Sequence, residues 1–160
     1  MTTAQSAHTV LTPADLLAHW QGHRALTRRV IEAFPDDVLF SYSVGGMRPF
    51  AALASELLAI AVPMVREIVS GEGTPYSEDV PATKAALLAA WDATTVELER
   101  WFGQLDPARY GETLTVFGQY TGPVWSHLLY AIDNEVHHRG QGYVYLRALG
   151  VEPPPFWERG

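Results

Sequence analysis

The residues of this 160-residue chain that could do chemistry are few and oddly placed. Cysteine is absent, which excludes disulfides, thiolate metal sites and Cys nucleophiles. Carboxylates and imidazoles remain. His137 and His138 are adjacent within Asp133 to Phe156, which reads DNEVHHRGQGYVYLRALGVEPPPF, and Asn134 precedes His138 by four residues. On a helix that spacing sets Asn134 and His138 one turn apart on one face, where two side chains can share a ligand, whereas His137 falls on the far side. His19 and His23 repeat the spacing near the N-terminus. They are read as packed or pocket-lining residues beside Glu56, with joint metal ligation as the rarer outcome. Glu56 is the remaining oddity. Between Pro49 and Val65 only Ser55 and Glu56 are polar, and a carboxylate in so apolar a run needs a partner.

These residues must be positioned by helices. Thr12-Pro13-Ala14-Asp15 is a helix start, with a capping hydroxyl, proline at the first helical position and an acid at the positive end of the dipole. Leu16, Trp20, Leu26, Val30, Ile31 and Phe34 then recur at helical spacing until Pro35-Asp36-Asp37, and His19 and His23 share their arc. Arg24, Arg28 and Arg29 are assigned to the solvent side. A second helix is expected from Pro49 to Val69, with Gly71 as its stop and a kink or break at Pro63. A third runs from about Thr83 to Phe102 with Leu87, Leu88, Trp91, Val96, Leu98 and Trp101 on its core face. Thr121-Gly122-Pro123 opens a fourth, which closes at Gly150 before three prolines. Its 3.6-residue stripe of Trp125, Leu128, Ile132, Val136, Tyr143 and Leu146 is assigned to the core, with His138 at the edge. Arg139 is expected to point inward onto a carboxylate or loop carbonyls, Gly140 and Gly142 to allow close helix approach, and His127 to pack or line a pocket. Loops are expected at 38–48 and 71–81, and a short extended piece at 114–117.

Composition bounds the rest. The chain is read as one domain, residues 1–160, with residues 1–10 a loose arm; a chain of this length buries about 70% of its unfolded surface without staples. A net charge of −7 with scattered basic residues excludes a nucleic-acid partner. The N-terminus lacks the pattern of a signal peptide, and no apolar run approaches the ~18 residues of a spanning helix, so no membrane partner and a cytoplasmic location are expected. Four amphipathic helices joined by loops make an all-α, antiparallel four-helix bundle, whose polar sites are built from inward side chains of different helices.

HHRGQ, then YLRALG, then PP resembles the last helix of the DinB/YfiT-like superfamily, and the layout of nearly the whole chain is similar to that fold. The resemblance implies a DinB-like four-helix bundle with a three-ligand metal site, two ligands from the last helix and one histidine from the second. Aligning MRPFAALASELL with the family's second helix sets Glu56 at its histidine position; Asn134 stands at the first ligand position of the last helix, and His138 is retained. The implied metal set is therefore Glu56, Asn134 and His138, holding a divalent ion (Zn, Ni or Mn) more weakly than three histidines would. The alternative is a metal-free site in which Glu56 and His138 bond across the bundle and Asn134 fills in. Two functions follow from the resemblance: a metal-dependent S-transferase or isomerase using a low-molecular-weight thiol such as bacillithiol or mycothiol, or a non-catalytic binding or stress-related interaction protein whose pocket holds a small molecule. A homodimer is expected on either account.

Overall fold

The computed structural model describes residues 11–159; residues 1–10, where the loose arm was expected, and Gly160 lie outside the described residues. Helix α1 spans Pro13–Ala33 and begins with a capping box between Thr12 and Asp15. Helix α2, Phe50–Ser70, passes through Pro63 without ending and closes at Gly71 in the left-handed conformation, φ 73°. Helix α3, Lys84–Phe102, is capped by the Thr83 hydroxyl. Helix α4, Val124–Ala148, is the longest. It stops where Gly150 turns to φ 75° and the Val151 N–H donates to the Leu146 carbonyl at 2.9 Å.

Each helix packs on two neighbours: α1 and α2 both contact α3 and α4, which sets α1 diagonally across from α2. Gln21 and Arg28 of α1 meet Thr95 and Asp92 of α3, so that pair runs antiparallel. Glu56 meets His138 while Phe50 lies against Gly142, so α2 and α4 are antiparallel too. One core cluster joins Leu16 and Trp20 to Val65, Leu98 and Leu128; the other joins Val30 and Phe34 to Phe50, Leu87 and Leu146. The chain order is therefore up, down, down, up.

Two parallel helices in succession need a connection that recrosses the bundle. A 21-residue α2 is about 31 Å long, and residues 71–83, when extended, reach roughly 45 Å. That strap sets Tyr76 and Glu78 opposite Glu56. Between α3 and α4 the chain makes a 3-10 turn at Pro107–Arg109 and an antiparallel hairpin of β1 (Thr113–Val116) and β2 (Tyr120–Pro123). The extended piece expected at 114–117 is β1, and Thr121 to Pro123, the expected opening of the fourth helix, end β2 with Pro123 as the N-cap of α4.

Three sequence expectations are corrected. The buried stripe of α4 is Leu128, Ala131, Ile132, Glu135, Arg139, Gly142 and Leu146, while Trp125 (50% exposed) and Val136 (41%) face outward and Tyr143 is half-buried. Leu128, Ile132 and Leu146 face the core as expected, but Glu135 and Arg139 share that face while Trp125, Val136 and Val144 lie on the outer one. On α3, Val96 is exposed, Leu88 and Trp101 are half-buried, and Phe102 is in the core. Arg24 is fully buried rather than solvated. Its Nε donates to Thr95 Oγ1 at 2.8 Å, one terminal nitrogen donates to the Trp91 carbonyl at 3.1 Å, and its guanidinium lies 4.2 Å from the Trp91 ring.

Candidate functional site

Antiparallel packing of α2 on α4 brings together the three residues singled out by type and spacing. His138 Nε2 lies 3.1 Å from Glu56 Oε1, and Asn134 Nδ2 donates to the same oxygen at 3.2 Å. A carboxylate only accepts, so His138 carries its proton on Nε2, leaving Nδ1 buried without a hydrogen-bond partner among the described residues. The other Glu56 oxygen pairs with Arg48, from the α1–α2 loop, which also reaches Glu78 at 3.3 Å. Burial pulls the Glu56 carboxyl up, but the hydrogen bonds from Arg48, His138 and Asn134 outweigh it and leave the group below its ordinary range. Glu56 is thus held as a carboxylate.

Beside it opens a cleft of about 890 Å³, within the size range of small-molecule sites. Its floor is Glu56, Ile60 and Met64 of α2; Tyr76 and Glu78 of the strap form one wall, and the hairpin and the first turns of α4 form the other. Tyr76 donates to Glu78 Oε2 at 2.8 Å. At the hairpin tip Phe117 holds φ 53°, an uncommon conformation for a bulky residue. Its N–H donates at 3.0 Å to Glu67 Oε2, which also accepts from the Thr74 N–H at 3.4 Å, so one carboxylate ties hairpin and strap to α2. His127 lines the cleft and bonds the Leu114 carbonyl at 3.2 Å. Glu56 reaches the cleft, whereas His138 and Asn134 stand behind it.

The model of the DinB family matches residues 2–159. The chain belongs to the DinB family. Its fold is similar to a DinB-like protein from Bacillus subtilis, with a TM-score of 0.75 at 19% identity over 91% of this chain and 99% of that one. A DinB-like protein from Bacillus cereus superposes with a TM-score of 0.73 at 16% identity, over 89% of this chain and 95% of the other. No functionally curated protein matches it.

In this DinB protein the residues at the positions that the resemblance gives to metal ligands are bonded to one another and to Arg48, an arrangement that would have to open to admit a divalent ion. Their polar atoms point at one another rather than at a common centre, and the guanidinium of Arg48 already occupies Glu56. Among the described residues no group of three or more His, Asp or Glu side chains is arranged to hold a metal. His19 and His23, expected beside Glu56, do not line the cleft, because α1 sits diagonally across the bundle from α2. Their Nε2 atoms are 3.1 Å apart, but Arg139 donates to His23 Nδ1 at 2.8 Å and Arg159 lies 3.0 Å from His23 Nε2. Two guanidiniums make that a poor place for a cation.

Behind His23 lies a buried polar network that the sequence reading missed. Glu135, 1% exposed, accepts from Thr27 Oγ1 at 2.7 Å and from Trp20 Nε1 at 3.3 Å, with Arg139 at 3.8 Å. Arg139 points inward as expected, bonding the His23 carbonyl at 3.2 Å as well as Thr27. Glu135 is one turn from His138 and Arg139; the helical register of Leu128, Ile132 and Gly142 was the signal that could have found it.

Proposed function

We propose that this DinB-family protein binds a small organic cation with an apolar or aromatic body in the cleft over Glu56, with no resident metal. One observation carries the reading: two carboxylates, Glu56 and Glu78, face the cleft and share a single guanidinium, Arg48, which leaves one net negative charge among them. Tyr76, Tyr120 and Tyr130 supply aromatic faces around it, suited to an ammonium group and to flat apolar matter. His138 and Asn134 hold the Glu56 carboxylate in orientation rather than touching the ligand.

Calorimetric titration with an arylalkylamine such as phenethylamine, and with the matched phenylpropionate, tests this. The amine is expected to bind, the carboxylate not, and Glu56→Gln to weaken the amine about tenfold or more, as loss of a charged hydrogen bond worth ~1.5–3 kcal/mol requires. Preference for the carboxylate, or amine binding indifferent to Glu56→Gln, overturns it.

A second reading is supported by the meeting of Glu56, Asn134 and His138 at the positions the family resemblance gives to metal ligands. In it those residues hold Zn, Ni or Mn for a thiol S-transferase or isomerase, and Arg48 leaves Glu56. Elemental analysis of protein made without a histidine tag separates the two: stoichiometric metal lost in His138→Ala supports the enzyme, and its absence under metal-replete conditions supports the binding protein.

A further inference from the structure

The two walls of the cleft are not held alike. The hairpin is paired strand to strand, and its tip donates the Phe117 N–H to Glu67 at 3.0 Å. The strap between α2 and α3 has no such hold. None of residues 71–83 is buried, and Tyr76 and Val80 stand 48% and 47% exposed. Among the described residues, no backbone–backbone hydrogen bond involves residues 72–82. Residues 73–82 are tied to the bundle by Arg48 to Glu78 at 3.3 Å, the Thr74 N–H to Glu67 at 3.4 Å and Arg66 to the Thr74 hydroxyl at 3.4 Å. Each is longer than the roughly 2.7–3.2 Å of an ordinary N–H···O bond. A segment with so few buried groups and backbone bonds opens locally at little cost in free energy.

The strap also has chain to spare. It runs about 31 Å, the length of α2, to recross the bundle, yet extended it reaches roughly 45 Å. Pinned at both ends with that excess, it can rise furthest at its middle, by on the order of 10 Å. Its middle is Ser77, flanked by Tyr76 and Glu78, the two strap residues that line the cleft. Gly71, at φ 73°, turns the chain out of α2 at one end, and the Thr83 hydroxyl caps α3 at the other. With the strap in place the cleft floor is almost closed, Ile60 being 8% exposed and Met64 1%. We infer that residues 73–82 form a lid that lifts from the cleft about these two ends, latched by Arg48 and Glu67, while the hairpin stays in place. The lid rests on the reading of this cleft as a small-molecule site, though on no particular ligand, and adds what governs entry.

Because the chain has no cysteine, a single thiol can report on access. Met64→Cys places it on the cleft floor; Ile68→Cys places it one turn further along α2, buried in the core and outside the cleft. Labelling by neutral N-ethylmaleimide is followed by mass spectrometry. Two changes release the latches: Glu78→Gln weakens the Arg48 contact, and Thr74→Pro removes the N–H that Glu67 accepts without altering a charge. Each is expected to speed labelling of Met64→Cys by roughly threefold or more, as loss of one weak, part-exposed contact allows, and to leave Ile68→Cys unchanged. Circular dichroism checks that each variant keeps its helices, and Ile60→Cys replaces Met64→Cys as floor reporter where the latter does not fold. No ligand enters the measurement, so failure of amine binding and failure of the lid are separate results. An unchanged rate at the floor in either latch variant, or equal acceleration at Ile68→Cys, overturns the inference.

Discussion

Glu135 is the buried acid around which Trp20, Thr27 and Arg139 are arranged. Burial pushes its carboxyl up, while Arg24, Thr27 and Arg139 oppose that push; burial likewise lowers Arg139. Removing the acid leaves the enclosed Trp20 N–H without its acceptor, takes one acceptor from the Thr27 hydroxyl and leaves the Arg139 guanidinium without the carboxylate 3.8 Å away that opposes its charge. Glu135→Ala is therefore expected to cost about 3–5 kcal/mol, the range for breaking a buried pair on one side, and Glu135→Gln, which keeps one acceptor, about 1–3 kcal/mol. Urea unfolding measures both, and a loss below 1 kcal/mol for the alanine variant would show the network to be dispensable. At this scale Glu56 was legible because a polar residue in an apolar run advertises a partner, and His138 because it stands one helical turn from Asn134 within HHRGQ. Glu135 was not, since on a helix rich in polar residues it looks like an ordinary surface acid until its register is fixed. Arg48 and Glu78 were not either, because both lie in loops whose path no local pattern dictates.

Among the elements, α4 is where periodicity misleads. Three helix ends were readable from capping chemistry at Thr12, Gly71 and Gly150, where one hydroxyl or one left-handed glycine decides the boundary. The direction of successive helices was not, for it depends on whether residues 71–83 turn back or recross the bundle. Nor was the inner face of α4, where Glu135 and Arg139 sit among apolar residues while Trp125, Val136 and Val144 lie outside. Gly142 tests the observed face. It sits under Phe50, whose ring stacks on Phe34 with centroids 4.8 Å apart, so neither ring is free to retreat. Gly142→Ala is expected to lower stability by about 1–3 kcal/mol through overpacking, despite the ~1 kcal/mol that alanine adds in helix propensity. Pairing it with Phe50→Leu should recover part of the loss. A plain rise in Tm for Gly142→Ala would mean that this face of α4 is not packed on α2.

For the molecule as a whole, the same network sets a pH dependence. His23 is pulled down from 6.5 to about 4, first by burial and then by Arg139, His19 and Arg159. The folded protein thus binds fewer protons at His23 than the unfolded chain between these values, and stability rises with pH across that window. The contribution is complete above pH 6.5 and lost as pH falls to 4, on the order of 3 kcal/mol at ~1.4 kcal/mol per pH unit. Glu56, whose value is lowered, adds stability above its ordinary 4.5 that is lost only below it. Glu135 has the opposite sign: its raised value favours the fold below 4.5 and weakens it as pH rises through the folded value. Total stability mixes the three, so the comparison must isolate His23. His23→Asn keeps an acceptor where Nδ1 receives the Arg139 bond and leaves both acids in place. Denaturation of native and variant protein from pH 4 to 7.5 is expected to show a gap in favour of the native chain that widens up to pH 6.5 and is flat beyond. A gap that does not change with pH would mean that His23 titrates alike in the folded and unfolded chains and that the Arg139 and Arg159 contacts are not formed in solution.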